Sequence, residues 1–274
     1  MLGFETDVQD YIDAGYEVVT SGISVTNNRF EISLNEDMAR FTGPSRTMAA
    51  RAAGAPIALS YQAPVEATAT LWGGDRIVNN DSKKACSYGI GGTYNGSPAF
   101  LTCGHGNSVN DNLLYGGSVI GRVSFSRACT SEAALPAETL GDFAIVNVTD
   151  SSTTASNLVG GMKFTGTYSS LPEGTKIYKY GAVTQLSTGT VRRSMGLTLC
   201  AYGDPPYYAR GLYESSISAV APGDSGGPVY IKNGSSYLIH GVATARDTSK
   251  AGTLLLYSTP IYYAMDVCFQ PKLN

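Results

Sequence analysis

Charge is scarce in this chain. Only 15% of its 274 residues are Asp, Glu, Lys or Arg, and the net charge is −3. With no basic block, nucleic acid is excluded as the main partner. No apolar run reaches the roughly 18 residues that a membrane-spanning helix needs. The five cysteines are too few for a dense disulfide scaffold. No C-x-x-C motif and no His/Cys pair at ligand spacing occurs, which argues against a zinc site, and no motif calls for a cofactor. The opening Met1-Leu2-Gly3-Phe4-Glu5-Thr6-Asp7 lacks the basic end and apolar stretch of a secretory signal. On the residues alone the chain is either intracellular or a piece without its targeting segment.

Glycine and tyrosine are what the chain has in quantity, 32 and 18 residues. With Ser and Thr they suit short strands and tight turns rather than helical bundles. From Leu71 onward, runs of strand length are separated by turn clusters such as Tyr115-Gly116-Gly117, Gly160-Gly161 and Asn233-Gly234. That spacing predicts a sandwich or barrel, so the fold class is all-β. Residues 1–70 read differently. Val8 to Ala14 suits a short helix, and Gly22–Thr26 and Arg29–Leu34 alternate around Asn27-Asn28 as a hairpin. Asn35 to Ala53 reads as helical with a break at Gly43-Pro44, and Ile57–Tyr61 as a strand. A short helix is expected from Ile261 to Phe269.

The most specific motif is Pro222-Gly223-Asp224-Ser225-Gly226-Gly227-Pro228. A serine hydroxyl is a weak nucleophile that needs a base for its proton and donors for the oxyanion it creates. Flanking glycines let the backbone turn tightly and aim its N–H groups at a ligand. Gly223 and Ser225 are the candidate oxyanion donors, and Ser225 is the candidate nucleophile. Such composition also makes ordinary surface turns, but Asp224 and Pro228 make the string more specific than a bare G-x-S-x-G.

Only two histidines are available as the base. His240 lies inside Tyr237-Leu238-Ile239-His240-Gly241-Val242 and reads as a hydrogen-bonded core residue. His105 follows the apolar Phe100-Leu101-Thr102 into a glycine-flanked loop, where a base can meet a nucleophile from elsewhere in the fold. His105 is therefore the expected base. The acid that orients it is expected to be Asp142, heading the apolar Phe143-Ala144-Ile145-Val146. Asp111 is a rival, in a polar turn only six residues from His105.

The order His105, Asp142, Ser225 and the surrounding strings resemble the bacterial branch of the chymotrypsin family, the streptogrisin and α-lytic protease group. Leu71-Trp72-Gly73-Gly74-Asp75 is similar to the mature N-terminus of streptogrisins, and Cys86-Ser87-Tyr88-Gly89 to the segment opening their first strand. Phe100–His105, Gly141–Val146 and Thr175–Val191 resemble the histidine motif, the aspartate motif and the strand pair opening the second barrel. The resemblance implies a chymotrypsin-like double β-barrel over 71–274, preceded by a small α+β pro-region over 1–70. It implies a secreted serine endopeptidase made as a zymogen, acting on polypeptides through a Ser-His-Asp triad and an acyl-enzyme. The pro-region would be a folding aid or intramolecular inhibitor, cut between Thr70 and Leu71; the other reading keeps residues 1–70 in the mature protein.

Departures from the family fall around the substrate pocket. Ala219 stands six positions before the nucleophile, at the pocket floor, and offers no carboxylate for a basic substrate. Thr244-Ala245-Arg246 replaces the family's Ser-Gly-Gly at the pocket wall. These favour a small or medium uncharged side chain before the cut, with glutamate as the alternative if Arg246 faces the pocket. Gly106 stands where the family has a cysteine. The bridge guessed first is Cys86–Cys103, because the chain between them can form a hairpin. Two other functions remain open: a catalytically silent peptide-binding module on the same fold, and an esterase using the same residues.

Overall fold

The computed structural model describes residues 18–24, 29–35, 57–62, 69–128, 130–131, 140–194, 197–201, 207–248 and 253–273. The chain divides into two compact units, Met1–Ala67 and Thr68–Asn274. In the first, β1 (Val18–Ser24) and β2 (Arg29–Asn35) form the expected antiparallel hairpin, and β3 (Ile57–Gln62) lies parallel to β2. The helices expected at 8–14 and within 35–53 lie outside the described residues.

In the second unit β4 (Ala69–Gly73), β5 (Arg76–Asn79) and β6 (Ala85–Ser87) lead into the hairpin of β7 (Ile90–Tyr94) and β8 (Ser97–Thr102). Then come β9 (Asn112–Tyr115), β10 (Ser118–Arg127), the two-residue β11 (Thr130–Ser131) and β12 (Phe143–Val148). All but β4 and β11 join one antiparallel sheet in the order β23-β7-β8-β12-β10-β9-β5-β6, with β23 (Phe269–Pro271) arriving from the C-terminus. Gly116 and Gly117, both at positive φ, make the turn from β9 to β10. In a two-residue hairpin turn of this type both central residues take that conformation, which glycine adopts without strain.

The remaining strands are β13 (Thr153–Val159), β14 (Met162–Thr167), β15 (Lys176–Gly181), β16 (Gln185–Ser194), β17 (Leu197–Ala201), β18 (Tyr207–Arg210), β19 (Tyr213–Ile217), β20 (Pro228–Asn233), β21 (Ser236–Asp247) and β22 (Leu255–Pro260). Six of them, β20-β15-β16-β19-β22-β21, close into a ring because β20 also pairs with β21. The unit is therefore an open half-barrel, the first barrel, and a closed six-stranded barrel, the second.

The period-2 alternation of strands explains the packing. On β8 and β12, Phe100, Ala144 and Val146 point into the first barrel with Leu71, Tyr88 and Leu113. Their neighbours Leu101, Phe143 and Ile145 point the other way, against Phe164, Tyr230, Val242 and Tyr263 from the second half of the chain. A third cluster with Ile177, Val191, Val229 and Leu256 fills the closed barrel. At about 1.5–3 kcal/mol for each large apolar side chain buried, β8 and β12 are anchored on both faces. The residues just beyond them, His105 and Asp142, are carried on these anchored strands.

The C-terminal helix is shorter than expected. α1 spans only Tyr262–Met265, and Cys268, at φ 72°, turns the chain out of helical geometry. That lets buried Phe269 pair opposite Tyr94 as part of β23. No helix among the described residues is long and apolar enough to cross a membrane.

Candidate active site

His105 stands three residues past the end of β8, and Asp142 immediately before β12, the strand paired with β8. The pairing brings the two loops together. Nδ1 of His105 lies 2.5 Å from Oδ2 of Asp142, and the His105 backbone N–H donates to the other carboxylate oxygen at 2.7 Å. The Asp142 side chain is fully buried. Such charge-assisted bonds are about twice as strong as neutral ones, so they fix the ring as well as attract it. Burial works against a charged imidazole, but the charge and hydrogen bond of Asp142 outweigh it, and His105 is held above the ordinary histidine value.

Asp142 is in turn tied to the second barrel. Its backbone N–H donates to Thr259 Oγ1 at 3.0 Å, and that hydroxyl donates back to the Asp142 carbonyl at 3.1 Å. Thr259 has one proton to give, so in its 2.7 Å contact with Thr244 the Thr244 hydroxyl is the donor. The rival Asp111 is used otherwise: its carboxylate accepts from Asn79 Nδ2 and from the Ser108 backbone N–H, both at 2.7 Å. His240 is fully buried, its Nδ1 3.0 Å from the Tyr168 carbonyl and its ring edge-on to Tyr213. Burial pushes its pKa down to about 4.

Ser225 sits in the turn before β20. The carbonyl of Ser225 accepts from the Ser87 backbone N–H at 2.7 Å, and Ser87 Oγ donates to the Gly223 carbonyl, also at 2.7 Å. Gly223 has φ 101°, a conformation that L side chains rarely adopt. With its carbonyl held back by Ser87, the peptide is oriented from outside the turn. Ser225 Oγ donates to the Thr244 carbonyl at 3.2 Å, and Ser225 and His105 line one cavity of about 350 Å³.

The turn is pinned underneath by Asp224. Lys179 Nζ is 2.7 Å from Asp224 Oδ2, with both side chains fully buried. Thr184 Oγ1 adds a bond at 2.6 Å, and the backbone N–H groups of Val183, Thr184 and Ala221 donate to the same carboxylate. Burial alone would raise the Asp224 pKa; these donors overcome it and hold it at about 2. Lys179, Thr184, Ser87 and Thr259 bond to the candidate residues or to the turn that carries them, and the motifs do not reveal them. A signal for Lys179 existed: in β15 it takes the inward phase of the alternation, with Ile177 and Gly181.

The residues expected to form the substrate pocket divide. Thr244 is buried and turned towards Thr259, so it offers its carbonyl to the site and not its side chain. Ala219 and Ala245 are half-buried. Arg246 is exposed, yet its Nη1 reaches 3.5 Å from the Val220 carbonyl. Its side chain therefore crosses from β21 to the segment preceding the serine turn. The expected Cys86–Cys103 bridge is not formed: both are buried free thiols. Their sulfurs face one another, with Thr102 Oγ1 directed at Cys86 and Asn107 Nδ2 at both. Each thiol thus has a weak hydrogen-bond partner without a covalent link. Among the described residues no group of His, Cys, Asp and Glu is arranged to hold a metal ion.

No protein-family model matches the chain, and no curated protein matches it in sequence. Solved structures do match. Thermobifida fusca protease A superposes with a TM-score of 0.58 at 21% identity, covering 75% of this chain and 100% of that one. Nocardiopsis protease gives 0.55 at 23% identity, covering 72% and 96%. A glutamic-acid-specific serine protease that uses a histidine triad in substrate binding gives 0.53 at 24%, also covering 72% and 96%. The fold of Thr68–Asn274 is accordingly the chymotrypsin-like double β-barrel seen in these bacterial serine proteases.

Proposed function

We propose that this protein is a serine endopeptidase. Ser225 attacks the scissile carbonyl, His105 takes its proton and returns it to the leaving amine, and Asp142 orients His105 and stabilises its charged form. The N–H groups of Gly223 and Ser225 bind the oxyanion, and the resulting acyl-enzyme is released by water. The observation that carries this reading is the clamp of Asp142 on His105 at 2.5 Å, beside the same cavity that Ser225 lines. The Lys179–Asp224 pair supports it by holding the oxyanion turn in shape. The same reading makes the protein a secreted enzyme whose residues 1–70 act as a pro-region.

For the side chain before the cut, Ala219 and Ala245 favour a small or medium uncharged residue. The reach of Arg246 towards Val220 supports an acidic alternative. The glutamic-acid-specific neighbour employs a histidine triad, whereas this chain has only His105 and His240. Recognition of a carboxylate would therefore fall to Arg246, whose planar fork suits it.

One observation favours a second reading, a silent peptide-binding module: the Ser225 hydroxyl is bonded to the Thr244 carbonyl. A hydroxyl rotates freely, and catalytic hydrogen bonds are often formed only with substrate present. Labelling with a fluorophosphonate decides between the two. The enzyme reading expects covalent modification at Ser225, lost in Ser225→Ala, together with cleavage of a peptide substrate. Folded protein that neither labels nor cleaves would establish the binding module, and label with ester hydrolysis alone would establish the esterase.

A further inference from the structure

Along the serine turn the backbone N–H groups are used selectively. Those of Asp224, Gly226 and Gly227 donate to the carbonyls of Ala221, Ala243 and Asp224, at 3.0, 2.7 and 3.0 Å. Among the described residues nothing accepts from the N–H groups of Gly223 and Ser225, the candidate oxyanion donors. The peptide joining Gly223 to Asp224 lies between these two donors. Its N–H is the one held by Ala221, and its carbonyl accepts from Ser87 Oγ. A peptide unit is planar, so bonds on both of its edges fix its plane. Held on one edge only, that plane could swing about Gly223, which has no Cβ to keep it at φ 101°.

Ser87 is itself held firmly. It ends β6, in the first barrel, and is fully buried. Its backbone N–H donates to the Ser225 carbonyl, and its own carbonyl accepts from Thr102 Oγ1 at 2.8 Å. Its Oγ also accepts from the Ala182 N–H at 2.9 Å, in the turn that follows β15. A hydroxyl has one proton to give, and with the Ala182 N–H on its lone pair that proton goes to the Gly223 carbonyl. The Lys179–Asp224 pair holds the turn through a side chain; Ser87 holds its backbone.

We propose that Ser87 is a positioning residue for the oxyanion turn: its hydroxyl fixes the Gly223–Asp224 peptide so that the N–H groups on either side of it converge on one oxygen. The inference rests on the endopeptidase reading and adds to it a residue outside the triad and the serine motif. The carbonyl of a bound substrate carries little charge and the tetrahedral intermediate carries a full one. Misdirected donors therefore cost the transition state more than the bound substrate. Ser87 acts through one neutral hydrogen bond, so its loss is worth about tenfold in rate.

The test uses the full chain with a peptide substrate and two inhibitors of one sequence, ending in an aldehyde and in an alcohol. The aldehyde adds to Ser225: Oγ bonds to the carbonyl carbon, the π pair moves onto the oxygen in the oxyanion position, and the hydroxyl proton passes to His105. The alcohol cannot add and reads ground-state binding. Ser87→Ala should lower kcat about tenfold and weaken the aldehyde by a similar factor. KM and alcohol binding should stay within about twofold of the wild type. Ser87→Thr keeps the hydroxyl and should recover most of both losses, although its methyl crowds a buried position and lowers stability. A residue that only packed the fold would give the opposite order. If Ser87→Ala does not fold, Ser87→Cys keeps the volume with a weak donor and should show the same split. Wild-type kcat in the folded variant, or equal weakening of aldehyde and alcohol, overturns the positioning role and leaves the endopeptidase reading intact. A wild-type chain that neither cleaves the peptide nor prefers the aldehyde overturns both.

Discussion

His105 and His240 are the only histidines in the chain, and their surroundings drive their protons in opposite directions. His240, buried without a charged partner, is pushed down to about 4, against about 6.5 in an unfolded chain. Its proton prefers the unfolded state. The His240 contribution to stability is therefore complete above about pH 6.5 and is lost as pH drops towards 4, by up to about 3 kcal/mol. Asp224, held at about 2, titrates below that window. His105 is raised by Asp142, so its contribution to stability is present in acid and is lost as pH rises through its folded pKa. The proposed catalysis needs the opposite form, the neutral ring, and the rate should climb over that same range above pH 6.5. Urea unfolding at pH 7 and 4.5 should show the acid loss in the wild type and a much flatter response in His240→Gln. The rise of kcat/KM with pH should survive in that variant. An unchanged acid loss would remove His240 as its source, and loss of the rising limb would transfer the base role from His105.

At the scale of elements, β15 and the serine turn are held together by a buried charge pair. Desolvation pulls the Lys179 pKa down and Asp224 partly restores it, while Asp224 itself stays ionised among its donors. Removing one partner of such a pair strands the other charge, at a cost of about 3–5 kcal/mol. Lys179→Met should incur that loss of stability. Because Asp224 lies between the two proposed oxyanion donors, kcat should also fall by about 10²–10³ with a smaller change in KM. Lys179→Arg, which keeps a cation, should recover more kcat than Lys179→Met does at comparable thermal stability. A folded Met variant with normal kcat would show that the pair supports the barrel and not the oxyanion turn.

For the molecule as a whole, the junction between its two units carries the most consequence. Thr70 is exposed, but Leu71 is fully buried and opposite Ala155 in the parallel pairing of β4 with β13. A protease needs an extended, unpaired segment, so cutting between Thr70 and Leu71 requires the start of β4 to separate first. As the last strand in its sheet, β4 has only β13 to leave. N-terminal sequencing after incubation at neutral pH should give Leu71-Trp72-Gly73 in the wild type and an uncut chain in Ser225→Ala. A fully active enzyme that retains residues 1–70 would refute the pro-region.

Strand periodicity and turn chemistry are local properties, and they were legible in the residues. The all-β class and the turns at Gly116-Gly117 and Gly160-Gly161 follow from alternation and from positive-φ glycines, and the pairing of the strands on either side of Asn27-Asn28 from alternation; the turn expected at Asn233-Gly234 falls one residue later, at Gly234-Ser235, because Asn233 still pairs with Ser236 at the end of β20. The places of His105, Asp142 and Ser225 at the ends of strands were legible for the same reason. What depends on distant parts of the chain was not. Thr259 holds Asp142 across 117 positions, and Lys179 meets Asp224 across 45. The inward phase of Lys179 in β15 marks it as buried, but neither pairing leaves a pattern that names the partner, because each exists only once the barrel closes and the two sheets pack. The free thiols of Cys86 and Cys103, the cavity above them and the reach of Arg246 were likewise decided by tertiary packing. The sequence determined which residues could do chemistry; closure of the sheets determined which of them meet.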